Sequence, residues 1–155
     1  MAFPTGFGFG DTAPATPATR WETFDHGADV GVRGFGPTRE RALEQAAVAL
    51  TAIVTRPAAV APRRVVEIAC EAPADELLLP CWLNAVVYEM ATRGMLFSSY
   101  RLAIRDGRLW AWAFGEKVDP VRHRPAVEVK GATLSELELR RLDDGSWLAQ
   151  CVVDV

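Results

Sequence analysis

Two histidines and three cysteines are all that this chain of 155 residues holds of the side chains used most often for nucleophilic, redox or soft-metal chemistry. Cys70, Cys81 and Cys151 form an odd set without C-x-x-C spacing, and each sits in an apolar run. They read as small core hydrophobes in a reducing compartment rather than as a disulfide framework. Basic residues are in no surplus: 17 Lys and Arg stand against 20 Asp and Glu, a net charge of -3 with a pI near 5.4. That balance argues against a dedicated nucleic-acid binder, so stable direct binding of nucleic acid is not expected, although a local basic patch is compatible with it. No apolar run approaches the ~18 residues of a membrane span. A basic start followed by a leucine-rich stretch is also missing, so no signal peptide is expected and a cytoplasmic location follows. There is no G-x-S-x-G, and Gly31 to Gly36 lack the order G-x-G-x-x-G, so neither a serine nucleophile nor a phosphate loop is indicated.

What is present suits one domain, of a size that buries roughly 70% of its unfolded surface. Half of the residues are hydrophobic and 24% are charged, ordinary values for a globular chain. Residues 1–19 are rich in Gly, Pro, Thr and Ala with Asp11 as their single charge, which predicts a disordered tail. From residue 20 the texture becomes that of a folded domain running to 155. Residues 20–24 and 29–35 read as strands. Thr38 is placed to cap a helix whose buried face is Leu43, Ala46, Ala47, Leu50, Ile53 and Val54. Residues 64–70 form a further strand. A second helix follows Asp75, either kinked at Pro80 or starting its regular part there, and Gly94 caps it. Asp106-Gly107 marks a hairpin between 96–105 and 109–114, and Asp143 to Ser146 mark another between 137–142 and 147–153. Residues 115–124 read as a polar loop and 126–134 as extended chain. The fold class is α+β, with about seven strands in mixed or antiparallel sheet and two helices.

Acidic residues stand at both ends of this domain. Asp25, His26 and Asp29 open it, and Asp154 with Val155 closes it on an apolar, strand-like run. Aspartates are hard oxygen ligands suited to Ca²⁺, Mg²⁺ or Mn²⁺, whereas histidine suits softer metals. The alternative for Asp25 and His26 is a turn former and a hydrogen-bonded anchor, and for Asp154 a solvated tail residue. The α-carboxylate of Val155 is a further possible oxygen ligand. Glu116, Asp119, Arg122 and His123 suit contact with a partner or phosphate, or simply form a polar connection. Lys130 could point into a site or into water. Trp110, Trp112 and Phe114 alternate with Ala111 and Ala113, and packing in the core is favoured for the aromatic side over base stacking. No residue is assigned a catalytic role.

Together these segments resemble the archease family, the accessory proteins of the GTP-dependent RNA ligase of tRNA splicing. The similarity runs from about Trp21 to Val155. It is carried by Phe24-Asp25-His26-Gly27-Ala28-Asp29-Val30-Gly31, Trp82-Leu83-Asn84, Gly94-Met95-Leu96-Phe97, Gly115-Glu116, Asp119, Arg122-His123, Val129-Lys130-Gly131-Ala132-Thr133 and Val153-Asp154-Val155. The resemblance implies a divalent metal (Ca, Mg or Mn) held by Asp29 and Asp154. It implies promotion of ligase guanylylation and multiple turnover, with GTP at a shared interface and Lys130 near it. Leu134-Ser135 stand where the family usually has a histidine, Gly27 where threonine is commoner, and 124–128 lack a lysine-threonine pair. Two other functions are compatible with the residues: a chaperone-like modulator of an RNA-modifying enzyme, and a small metal-dependent phosphoester hydrolase using Asp29, Asp154 and His123.

Overall fold

Residues 18–155 are described by the computed structural model, so the expected tail over 1–19 lies outside the described residues except for its last two positions. Strands β1 (Arg20–His26) and β2 (Asp29–Gly36) form a hairpin whose turn uses Gly27 at φ 63°. That left-handed conformation is costly for any residue with a Cβ. Helix α1 (Arg39–Val54) follows, and the Thr38 side chain accepts from the Arg41 N–H as an N-cap should. Strand β3 (Arg64–Glu71) leads through a tight turn to helix α2 (Leu78–Arg93). Pro80 is its third residue, in the first turn, where backbone N–H groups have no intrahelical acceptor. The helix therefore starts at this point and does not kink. Gly94 caps it at φ 61°.

The remaining elements are strands β4 (Met95–Arg105) and β5 (Arg108–Lys117), a short helical turn α3 (Pro120–His123), and strands β6 (Gly131–Ala132), β7 (Glu138–Arg141) and β8 (Trp147–Asp154). All pairings are antiparallel: β8 lies beside β2, with β1 outside it, and also pairs β6 and β7, while β5 lies between β3 and β4 in a second sheet. Two sheets and two main helices in one domain give the expected α+β class. Two local expectations are corrected. The stretch expected as a loop from 115 begins with the end of β5, so Glu116 and Lys117 are strand residues, and 120–123 are helical. Of the extended 126–134 only Gly131 and Ala132 pair as a strand.

Both helices touch strands of both sheets. Helix α1 lies so close to β2 that a Cβ on Gly34 would come 2.0 Å from the Ala42 carbonyl oxygen. Ala42, Ala46 and Ala49 are fully buried there, small enough for backbone to approach backbone. Trp82 of α2 is also fully buried, donates its indole N–H to the Leu43 carbonyl at 3.0 Å and meets Tyr100 edge-on at 5.5 Å. The edge of β4 is closed by α1: the Glu44 carboxylate accepts from the Leu102 N–H at 2.8 Å and Arg41 donates to the Leu102 carbonyl at 3.1 Å. Such capping blocks strand addition at an open edge.

The alternation along β5 is as expected, but its sides are reversed. Ala111 and Ala113 are buried beneath the helices, while Trp110 and Trp112 are each 40% exposed on the outer face. The inner face of this sheet is filled instead by Leu109 of β5, Val66 and Ile68 of β3, and Tyr100 and Leu102 of β4. No helix among the described residues is long and apolar enough to cross a membrane.

Candidate functional site

Strand register brings the acidic ends of the domain together. Val30 of β2 pairs with Val153 of β8, so Asp29 and Asp154, each one residue further along, end adjacent strands side by side. The Val155 N–H points to Asp29 Oδ1 at 3.5 Å, which places the C-terminal residue at the same tip. Asp154 is exposed and Asp29 half-buried. Among the described residues neither makes an ion pair. His26 pairs with Asp29 across the hairpin and Asp25 with Val30, so the opening motif sits beside the tip. His26 Nε2 lies 3.9 Å from Glu136 Oε1. Nothing in the sequence reading singled out Glu136; it is held near by a left-handed turn at φ 56° that depends on the tertiary fold.

The Lys130–Ser135 segment is wrapped along the end of β8. Lys130 N–H donates to the Asp154 carbonyl at 2.8 Å, Thr133 Oγ1 donates to the Val152 carbonyl at 2.9 Å, and Val152 N–H donates to the Ser135 carbonyl at 3.0 Å. Asn84 of α2 accepts from the Ala132 N–H at 2.8 Å, so the second helix positions this segment. The Lys130 side chain is exposed within one backbone hydrogen bond of Asp154.

Glu116 and His123 are arranged differently. Glu116, with a side chain only 6% exposed, accepts from Arg122 at 2.7 and 2.9 Å and from the Ala61 N–H at 2.7 Å. It also meets His123 Nε2 at 3.0 Å and Arg63 at 3.4 Å. The Asp119 N–H donates to His123 Nδ1 at 2.8 Å, which makes that nitrogen the acceptor and leaves Nε2 to donate to Glu116. Hydrogen bonds from Arg122, then from Ala61 and His123, hold the Glu116 carboxyl far below the usual range, and Glu116 in turn raises the Arg122 guanidinium. Asp119 Oδ1 caps α3 through the Val121 and Arg122 N–H groups. Thr55 Oγ1 ties the His123 carbonyl to the end of α1 at 2.5 Å.

Two expectations change with this geometry. Glu116 and His123 are buried and bonded to each other rather than held on an open loop, and the Arg63 and Arg122 side chains that pair with Glu116 are exposed. His123 belongs to this clamp on β5, whereas Asp29 and Asp154 end the other sheet, so the structure does not assemble the three into one hydrolytic centre. Among the described residues no group of three or more His, Cys, Asp and Glu side chains is placed to hold a metal. At the tip the side-chain donors are the carboxylates of Asp29 and Asp154. Both offer hard oxygens, a set that fits Ca²⁺, Mg²⁺ or Mn²⁺ and not a thiophilic metal.

The comparisons with known proteins cover the whole of this framework. Residues 21–155 match the model of the Archease protein family. Protein archease of Pyrococcus furiosus is 36% identical over 140 residues, covering 88% of this chain and 99% of the relative. Protein archease of Methanopyrus kandleri is 36% identical over 139 residues, covering 87% and 99%. Protein archease of Methanosarcina barkeri is 32% identical over 141 residues, covering 88% and 96%. The solution structure of protein 1598 of Methanobacterium thermoautotrophicum superposes with a TM-score of 0.71 at 24% identity, covering 87% of this chain and 98% of that one, and shares the fold. The chain belongs to the archease family.

Proposed function

We propose that the chain is a metal-binding accessory factor of a GTP-dependent RNA ligase in tRNA splicing or RNA repair, acting in the cytoplasm without turnover chemistry of its own. The observation that carries this reading is the adjacency of Asp29 and Asp154, which end neighbouring strands β2 and β8 side by side at one tip of the five-stranded sheet. A bound divalent cation supplies charge neutralisation beside a nucleotide phosphate. The chain's own residues do the rest. Asp29 and Asp154 are held at fixed separation by the β2–β8 ladder, so the ligand oxygens are pre-positioned. Lys130 extends from the segment bonded to the Asp154 carbonyl and offers an ammonium to phosphate or to GTP at the shared interface. Seated near the ligase's nucleotide site, this tip favours guanylylation of the ligase histidine and so repeated rounds of ligation.

The test is ligation turnover by a GTP-dependent RNA ligase with and without a trace of the chain, beside Asp154→Asn. Multiple turnovers that need the chain and vanish with the variant are the expected result. Protection of an RNA-modifying enzyme from aggregation without faster ligation would replace this reading with a chaperone-like role. Hydrolysis of GTP or a phosphoester by the chain alone would replace it with an enzymatic one.

A further inference from the structure

The outer face of the three-stranded sheet carries an aromatic stripe that the reading above does not use. Trp110, Trp112 and Phe114 project from β5 away from the helices, and both tryptophans are 40% exposed. Trp110 is flanked by Ala69 and Ala103, small neighbours that leave its ring open. Trp112 is flanked by Glu67 and Arg101, and Arg108 by Glu71 and Arg105. Beside Trp110 and Trp112 the arginines lie on β4 and β5 and the glutamates on β3, with Asp106 in the turn next to Arg105. The Arg108 guanidinium leans 5.9 Å from the Trp110 ring centroid and 3.4 Å from Glu71. At the far end the same side of β5 reaches Glu116, beneath the 73% and 45% exposed side chains of Arg63 and Arg122. Arginines thus stand at both ends of the aromatic stripe and along one side of it.

We propose that this face binds single-stranded nucleic acid, with bases stacked on Trp110 and Trp112 and phosphates running along the β4 side. Outward positions on one strand recur about every 6.7 Å, too far apart for a continuous base stack and suited to splayed nucleotides. Indole rings offer a stacking plane to any base, and arginines beside them supply the attraction for the backbone. A duplex hides its base faces and fits only the arginines. Arg101 and Glu67 directly flank Trp112, and Val65, 53% exposed, flanks Phe114. With a net charge of -3 on the whole chain, the affinity is modest and falls steeply with salt. The proposal goes beyond the ligase reading and does not rest on it, because neither the metal tip nor a ligase takes part.

The experiment titrates the full chain into a fluorescein-labelled single-stranded RNA of about 12 nucleotides at low salt, beside a duplex of the same sequence. Tryptophan quenching and anisotropy should show the single strand bound more tightly than the duplex. Trp110→Ala and Trp112→Ala should each weaken binding about tenfold. Arg101→Gln with Arg105→Gln should lower the salt slope by about 1.4, the value for two single-strand phosphates, and carries the test should a tryptophan variant fold poorly. No binding at low salt, equal affinity for the duplex, or tryptophan and arginine variants that bind like the parent would overturn the proposal. A concentration-dependent dimer abolished by Trp110→Ala, with no RNA bound, would overturn it in favour of a protein interface.

Discussion

Glu116 on one sheet and the Asp29–Asp154 pair on the other are both carboxylate sites, yet they end in opposite states. Glu116 is enclosed by two arginines, a histidine and a backbone N–H, and its charge is spent within the protein. Asp29 and Asp154 stand side by side with one long backbone contact at 3.5 Å. Like charges placed together raise each other's energy unless a cation joins them. The saturated site therefore reads as a fastener, fixing residues 57–63 and 119–124 to β5. The open one has a geometry set by strand register rather than by its own partners, and in the proposed function it is the receptor for a cation.

The largest effect that separates the two is ligand-dependent stability. With metal at about a hundred times its dissociation constant, the parent should gain about 2.7 kcal/mol, and Asp29→Asn with Asp154→Asn should lose that gain. Without metal the same variant should melt within about 0.5 kcal/mol of the parent, since it removes no packing. Glu116→Ala should behave in reverse. Its melting temperature should drop by more than the loss of an exposed ion pair such as Arg140–Glu138, worth under about 1 kcal/mol, while the metal-induced gain is unchanged.

Acid should act on the fastener. The folded pKa of Glu116 lies below its ordinary value of 4.5, so its stabilisation is complete above 4.5 and is lost as pH falls below it. Thermal melts from pH 7 down to acid should show that fall, with a shallower slope for Glu116→Gln. Thr55→Val, which removes the hydroxyl bonded to the His123 carbonyl, should cost about 1 kcal/mol in chemical denaturation and leave metal binding intact. Lys130→Met should change stability by less than about 0.5 kcal/mol, because its exposed side chain has no packing role, while lowering ligase stimulation.

The local signals in the sequence carried most of the fold. Thr38, Gly94 and Asp106-Gly107 act through their own backbone geometry and appear where expected. The face choice of β5 did not follow from its alternation. Period 2 is visible in Trp110, Ala111, Trp112 and Ala113, but which side meets the helices is a tertiary choice that the alternation alone leaves open. The same limit applies at the acidic tip. Asp29 and Asp154 are recognisable as residue types, and the family resemblance links them, but their adjacency is a product of the β2–β8 register. Glu116 was visible as a charged residue in an apparently polar loop, whereas the Ala61 N–H and Arg63 that help enclose it are more than fifty positions away.

The most direct test of the account is a calorimetric titration of Ca²⁺, Mg²⁺ and Mn²⁺ into the parent, Asp29→Asn, Asp154→Asn and Glu116→Gln. The account predicts one site in the parent for at least one of these ions, weakened more than about tenfold by either aspartate variant and unchanged in Glu116→Gln. Equal affinity in the parent and both aspartate variants, or loss of binding in Glu116→Gln alone, would contradict it.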